Sequence, residues 1–465
     1  MRQPLLLALL MLGGCAQYQE RPLNPGDSAA MLEARTLDNA ALRHFIDSAD
    51  HQHKDPAPTT WTLDKLTLAA MFYHPDLALV RAQADTADAA GITAAQRPNP
   101  NLTLTPTWIS NLAAATPWIF VSALSIPIET AGKRGFRIDQ SRHLSDSAML
   151  RIADAAWLVR GRLRLAMLDA YAAQESLLLL QQQYRLEQEI DQHLQQQQAA
   201  GEIAETDVLA AQLGLDQTRL ALTGAQKKLA DVRNLLAAAI GIPVVALAGI
   251  NLDFSVFTQW PDLNTVPVDQ LQTLALRERP DVLASLADYA AAQSALQLEI
   301  ANQYPSIQAN PGYTFDVGEH RWSLGATALQ LPVFNQNQGP IAEMTAKRQE
   351  AAVRFEALQL RILGEIDRAH ASALASSTRW QAAGLAVQNR KANLRSMRDL
   401  LQAGELDAHA VAIAELEQSV AERARLDVLV ESQQALAILE TALRQPITYA
   451  PATAMSAPAR RKILP

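Results

Sequence analysis

Few side chains in this sequence could do chemistry, and they are scattered. The only cysteine, Cys15, follows an unbroken apolar run from Pro4 to Leu12 and two glycines. A lone thiol excludes an internal disulfide, so its chemistry would be acylation or none. The nine histidines are equally dispersed. His44, His51 and His53 are ligand types, but His51-Gln52-His53 running into Lys54-Asp55-Pro56 has no fixed scaffold and fits a solvated linker. His143, His193 and His370 fall in helical stretches without a companion at metal spacing and are read as surface or packing residues. No Gly-x-Ser-x-Gly elbow, His-Glu-x-x-His pair or phosphate loop occurs, and Gly132-Lys133-Arg134-Gly135 lacks Walker spacing. The expectation is a protein that is not an enzyme, with no catalytic residue, no cofactor and no metal site.

The apolar run is too short to span a bilayer, which takes about 20 residues, and matches a signal-peptide core. Residues 1–14 are therefore expected to be a signal peptide. Leu12-Gly13-Gly14-Cys15 resembles a bacterial lipobox, which would make Cys15 a lipidated N-terminus, palmitate included. Ala16 rather than Asp after it points to the outer membrane. Residues 15–60 read as a lipidated tether with one short helix from Ser28 to Ser48, and residues 449–465, rich in Ala, Pro and basic groups, as a disordered tail.

Of 40 basic residues, loss of Arg2 leaves 39 against 48 acidic ones, which gives no electrostatic case for nucleic acid. No later segment is long and apolar enough for a membrane helix, so only β-strands could cross a bilayer.

The elements that must carry any function come twice. A shift of 205 places Pro75, Asp76, Pro100, Ala123, Leu124 and Pro127 on Pro280, Asp281, Pro305, Ala328, Leu329 and Pro332; at 203, Ala200-Gly201-Glu202-Ile203 falls on Ala403-Gly404-Glu405-Leu406. The first repeat is assigned to 61–248 and the second to 249–448. Leu66, Ala70, Tyr73, Leu77, Val80, Ala84 and Ala87 step by four and three, as do Val282, Leu286, Tyr289, Gln293, Leu296 and Ile300, forming coiled-coil seams. From Ile138 to about Ala200, and from Ile341 to about Ala403, no proline intervenes, so each helix could reach about 90 Å. Gln181 to Gln183 and Gln195 to Gln198 suggest solvated polar stretches rather than a dense apolar core. At Gly201 and Gly404 the chain turns, with a left-handed C-cap glycine and, in the first copy, Thr206 or Asp207 as the next N-cap.

Each repeat also holds one non-helical interruption. In 101–127, Leu102, Leu104 and Trp108 alternate with Thr103, Thr105 and Thr107, and after a loop Trp118, Phe120, Leu124 and Ile126 return on one face. In 306–332, Ile307, Ala309, Tyr313 and Phe315 alternate with Gln308, Asn310, Gly312 and Thr314, and Trp322, Leu324, Ala326 and Ala328 return against Ser323, Gly325 and Thr327. These are two β-hairpins with aromatics (Trp108, Trp118, Tyr313, Phe315, Trp322) at the loop end, the pattern of membrane-barrel strands. Four strands cannot close a barrel, and open edges are intolerable in lipid, so the chain must oligomerise. Three copies would give twelve strands with a usable bore.

At this point residues 60 to 448 resemble the TolC-like outer membrane factors, outer membrane efflux proteins built as duplicated helix-hairpin-helix units. Carrying the resemblance are Tyr73-His74-Pro75-Asp76-Leu77, the Pro98-Asn99-Pro100 approach to the first hairpin, the exits Ile126-Pro127-Ile128-Glu129 and Leu331-Pro332-Val333-Phe334, and the Gly201 to Leu209 corner. Thr130-Ala131-Gly132-Lys133-Arg134-Gly135 is similar to a stretch of the Czc-type heavy-metal efflux subgroup.

The resemblance implies a mainly α fold with a transmembrane β-barrel, a homotrimer with a 12-stranded barrel in outer-membrane lipid, and a periplasmic α-helical tunnel. It implies a passive exit duct for heavy-metal cations, supplied by an inner-membrane pump of RND type through a periplasmic adaptor. The adaptor would dock on tips formed by Gly201, Glu202, Ile203, Gly404, Glu405 and Leu406. Some relatives ring the tip with aspartates at the sixth residue after the glycine and one turn on. Asp207 matches in the first copy, but Ala410 and Ile413 stand there in the second, so Asp407, Glu415 and Glu417 enter as constriction candidates by proximity. Alternatives are a channel for drug efflux or type I secretion, a periplasmic adaptor, and a coiled-coil scaffold lipoprotein. The adaptor would need one hairpin tip instead of two, and the scaffold has no use for aromatic-tipped strands.

Overall fold

A computed structural model describes residues 17–49, 60–110, 117–258, 260–261, 267–316, 318–327 and 332–447. The expected signal peptide, Cys15, His51, His53 and the tail 449–465 lie outside the described residues. The helices are α1 (Pro25–Glu33), α2 (Ala40–Ala49), α3 (Leu63–Tyr73), α4 (Pro75–Ala95), α5 (Lys133–Ala199), α6 (Glu205–Ile240), α7 (Val268–Glu278), α8 (Pro280–Ala301), α9 (Gln338–Gln402) and α10 (Ala408–Leu443). The strands are β1 (Asn101–Trp108), β2 (Trp118–Ile128), β3 (Ile307–Asp316) and β4 (Glu319–Thr327).

The duplication is visible in the backbone at several positions that need a special conformation. Pro75 and Pro280 each open a helix at its first turn, where the missing N–H costs nothing. Gly132 and Asn337, one shift apart, both hold the left-handed conformation before the long helices, at φ +73° and +60°. Gly201 and Gly404 hold it at the corners, and Gly241 and Arg444 at the ends of α6 and α10. The long helices run 67 and 65 residues, about 100 Å each at 1.5 Å per residue, slightly longer than expected because they begin at Lys133 and Gln338, ahead of Ile138 and Ile341. The one proline in either is Pro340, in the first turn of the second, and each helix finds lateral support from its 36-residue partner.

The two hairpins fuse into one antiparallel sheet of order β1-β2-β3-β4. Trp108 opposes Trp118, Phe120 opposes Phe315, and Tyr313 opposes Trp322, so the alternating sets read from the two hairpins share one face. Pairing of β2 with β3 leaves only β1 and β4 with a free edge.

Three expectations are corrected. The segment from Ser28 to Ser48 forms two helices, broken between Glu33 and Ala40, and it is not merely a tether: Leu37, Leu42 and Ile46 are buried in the first core. The seam through Leu66 and Leu77 is not one continuous helix, because His74 ends α3 in extended backbone ahead of Pro75. The interior is not chiefly solvated either. Leu66, Tyr73, Leu163, Met167, Leu236, Ile240 and Phe257 form one dense cluster, and Ile362, Ile366, Leu436, Leu439 and Leu443 another. Phe257 belongs to a connector with short 3-10 turns at Val244–Leu247 and Ser255–Phe257 that wedges against α5.

One buried polar network ties the repeats. Arg164 on α5 donates to Glu440 Oε2 at 3.1 Å and to Gln433 Oε1 at 3.0 Å, both on α10. Arg160 donates to the same carboxylate at 3.2 Å, and Gln433 donates to the Phe257 carbonyl at 2.9 Å. Arg164 and Glu440 are almost wholly buried, so removing one charge strands the other. Glu440→Gln should cost about 3 kcal/mol of stability, seen as earlier urea unfolding of the helical circular-dichroism signal. Arg151→Ala, which cuts only the exposed pair with Asp288, should cost less than about 1 kcal/mol.

Candidate channel wall, junction and hairpin tips

The wall is built by the pleat. Leu102, Leu104, Trp108, Trp118, Phe120, Leu124, Tyr313, Phe315, Trp322 and Leu324 all point to one side. Trp322 and Leu324 are 83% and 86% exposed, so this apolar face is covered by nothing in the protomer. The other face carries Thr103, Thr105, Ser125, Gln308, Asn310, Thr314 and Ser323. Trp108 and Trp118 meet edge to face at 4.8 Å, and Tyr313 and Trp322 lie at the same separation. The Tyr313 hydroxyl is 2.6 Å from His320 Nδ1. All five predicted interface aromatics thus gather towards the loop end.

At the opposite end the strands hand over to helices, and the Thr130 to Gly135 stretch does this work. The Thr130 hydroxyl donates to the Pro305 carbonyl at 2.6 Å, and Lys133 Nζ donates to the Tyr304 carbonyl at 2.6 Å and Ser306 Oγ at 3.2 Å. Arg134 Nε donates at 2.8 Å to the Ala95 carbonyl at the end of α4, one of the acceptors a helix C-terminus leaves unpaired. Arg137 grips Glu129 with both guanidinium nitrogens. Those hydrogen bonds hold the Glu129 carboxyl below its ordinary range, with Arg134 and Lys133 adding to the pull. In the second repeat Asn337 donates to the Glu299 carbonyl at 2.7 Å and to the Glu299 carboxylate at 2.6 Å.

Between the wall and the tips, His74 caps α4 by accepting from the Asp76 N–H at 3.2 Å. An acceptor nitrogen must be unprotonated, and burial pushes the His74 pKa down. Arg162 donates to Asp76 at 2.6 Å and holds that carboxyl low. Arg35, from the segment read as tether, donates to the carbonyls of Tyr73 at 2.9 Å and Gly241 at 2.7 Å. Nothing near Arg35 in the chain marks those targets. The sole hint lay in Gly241, whose position packs 2.9 Å from the Tyr73 carbonyl where a Cβ would stand.

Both tips are exposed turns. Gly201 and Gly404 have positive φ and open space around them, so only the backbone demands glycine. Glu202 and Glu405 are exposed, and Ile203 and Leu406 half-buried. In the first tip the N-cap is Ala204, not Thr206 or Asp207. Asp207 lies in the first turn, exposed, where the helix dipole favours a carboxylate. In the second tip Asp407 is the N-cap, accepting from the Ala410 N–H at 2.9 Å. Glu415 accepts from Arg398 at 2.5 Å and Glu417 from Arg390 at 2.6 Å, pairs that lace α9 to α10 within one protomer. Among the described residues, Asp207 alone of the four constriction candidates has a carboxylate engaged by neither a backbone cap nor an arginine, and no three His, Cys, Asp or Glu side chains are gathered as for a metal.

A duplicated pair of long helical hairpins carrying a four-stranded sheet, apolar on one face and hydroxyl-rich on the other, has the TolC-like fold. Residues 70–242 match the model of the outer membrane efflux protein family. It is 29% identical over 246 residues to the cobalt-zinc-cadmium resistance protein CzcC of Cupriavidus metallidurans, a match over 51% of this chain and 56% of that protein. The aligned region thus spans little more than half the length of that relative. The fold is shared with solved CusC, at a TM-score of 0.65 and 18% identity over 84% of this chain and 95% of that one. It is also shared with VceC of Vibrio cholerae, at 0.64 and 20% over 83% and 96%.

The depressed carboxyls give a pH signature. A carboxylate held below its unfolded value stabilises the fold above that value, and the stabilisation is lost as pH falls through the lowered one. Thermal stability should therefore drop with acidification below about pH 4.5, the ordinary carboxylate range. Glu129→Gln should flatten that loss in a melting series, since it removes one titrating partner. At the tips, Gly201→Val and Gly404→Val should each destabilise by about 1–2 kcal/mol through left-handed strain. Urea unfolding of each variant reads this cost.

Proposed function

We propose that three copies of this chain close a 12-stranded barrel in the outer membrane and continue it as a helical duct through the periplasm. The duct is a passive exit for heavy-metal cations, delivered by an inner-membrane pump of the RND type through a periplasmic adaptor. The observation that carries this reading is the sheet: its outward face is apolar and uncovered, while β1 and β4 retain unpaired edges. In lipid such edges must find partners, and sister subunits supply them.

The remaining assignments follow from this frame. Cys15 is the lipid anchor that holds each protomer to the membrane. Gly201, Glu202, Ile203, Gly404, Glu405 and Leu406 form the surface that meets the adaptor. Asp207 is the carboxylate best placed to line a constriction, since Asp407 is spent on a cap and Glu415 on Arg398. Metal cargo is favoured over drugs or secreted protein by the similarity to CzcC, which is named for cobalt, zinc and cadmium resistance. No chemical step is required of the chain, because the pump supplies the energy.

Detergent-solubilised protein should run as a trimer and give stepwise ionic conductance in a planar bilayer. Deleting the gene should sensitise cells to divalent transition-metal cations and not to hydrophobic drugs. A water-soluble monomer without conductance would defeat the channel, and drug sensitivity alone would defeat the cargo assignment.

A further inference from the structure

We propose that the periplasmic end of the sheet binds anionic phospholipid headgroups through Arg97, Lys133 and Arg134, an inference that rests on the barrel reading above. Charge is excluded from the wall itself: no ionisable side chain occurs from Asn99 to Ile128, and the second hairpin has its ions only at Asp316, Glu319 and Arg321 with His320, all at the loop end. Strand β2 has 11 residues, about 34 Å along the strand and about 26 Å along the membrane normal at a tilt near 40°. That equals the apolar band of outer-membrane barrels, about 25 Å. With Trp108 and Trp118 at the outer boundary, the inner one falls at Ile128 and Ile307. An exposed aromatic, Tyr304, stands just beyond it, as at a second interface.

The basic side chains collect at this level. Lys133 reaches the Tyr304 carbonyl, and Arg134 reaches Ala95, two residues before Arg97. Glu129 is paired with Arg137, and Arg97, Lys133 and Arg134 feel its charge at most from beyond ion-pair distance. Lys133 and Arg134 also retain donors beyond those spent on carbonyls. One shift on, the corresponding residues are the uncharged Asn302, Gln338 and Gly339, so the second long helix starts without cations at these positions. A cationic cluster at a membrane boundary, in excess of what the fold uses, is complementary to phosphodiester headgroups.

The test reconstitutes full-length trimers in an equimolar mixture of phosphatidylethanolamine and phosphatidylglycerol and counts retained lipids by native mass spectrometry. Wild type should enrich phosphatidylglycerol, and high salt should erase the enrichment. The triple variant Arg97→Gln, Lys133→Gln, Arg134→Gln should retain no preference. Because that variant also removes carbonyl caps, Arg97→Gln is measured alone. Its side chain makes no hydrogen bond among the described residues, and its loss should cut the preference about fivefold with trimer and conductance unchanged. No phosphatidylglycerol preference in wild type, or a preference untouched in Arg97→Gln, overturns the proposal. So does a change in ion selectivity without a lipid effect, which would put these charges in the lumen. Conducting trimers lacking lipid preference refute this inference alone, whereas failure to form conducting trimers refutes the barrel reading beneath it.

Discussion

Unpaired backbone at the two edges of the sheet is the constraint on which the proposed assembly depends. Water can satisfy an exposed edge in a soluble protein, but hydrocarbon cannot. One hairpin would leave two edges for two strands. Duplication gives four strands, and the pairing of β2 with β3 halves the number of edges per strand. The repeat is thus a partial solution to the edge problem inside one chain, and the rest is left to assembly.

A second demand follows, since each hairpin must be joined to helices at both ends without burying unpaired carbonyls. The helices α4 and α8 end where β1 and β3 begin, so their last acceptors have no continuation. Arg134 caps Ala95 in the first repeat, Lys133 crosses to cap Tyr304 in the second, and the Asn337 amide caps Glu299. Below, where long helices from both repeats run side by side, close packing is set by small residues and a few polar keys. Gly161 illustrates the tolerance, because a Cβ there would stand 2.8 Å from Thr441 Oγ1 on α10.

What was legible in the sequence was periodic or punctuated. The alternation in Leu102 to Trp108 and in Ile307 to Phe315 assigned faces correctly because strand geometry is local. Pro75, Pro280, Gly201 and Gly404 marked boundaries because their backbone restrictions act at the residue itself. What escaped reading was set by partners distant in the chain. Arg35 donates to the carbonyls of Tyr73 and Gly241, Phe257 docks against Tyr171, and Leu37, Leu42 and Ile46 complete a core whose other members lie downstream. The tip carboxylates failed in a subtler way: Asp407 and Glu415 sit where proximity suggested, but a cap and an ion pair already claim them.

The copies have also drifted apart at one telling place. Gly241 ends α6 in a left-handed turn at no steric cost, whereas Arg444 holds the same turn at the end of α10 despite its side chain. It is compensated by a reach across to Asp154 on α5, 2.6 Å away. Since that arginine anchors the last helix to the first repeat, the two halves are no longer interchangeable modules. A chain assembled from two copies of the first half would fold its turns comfortably and yet lose the strap that binds its end to its beginning.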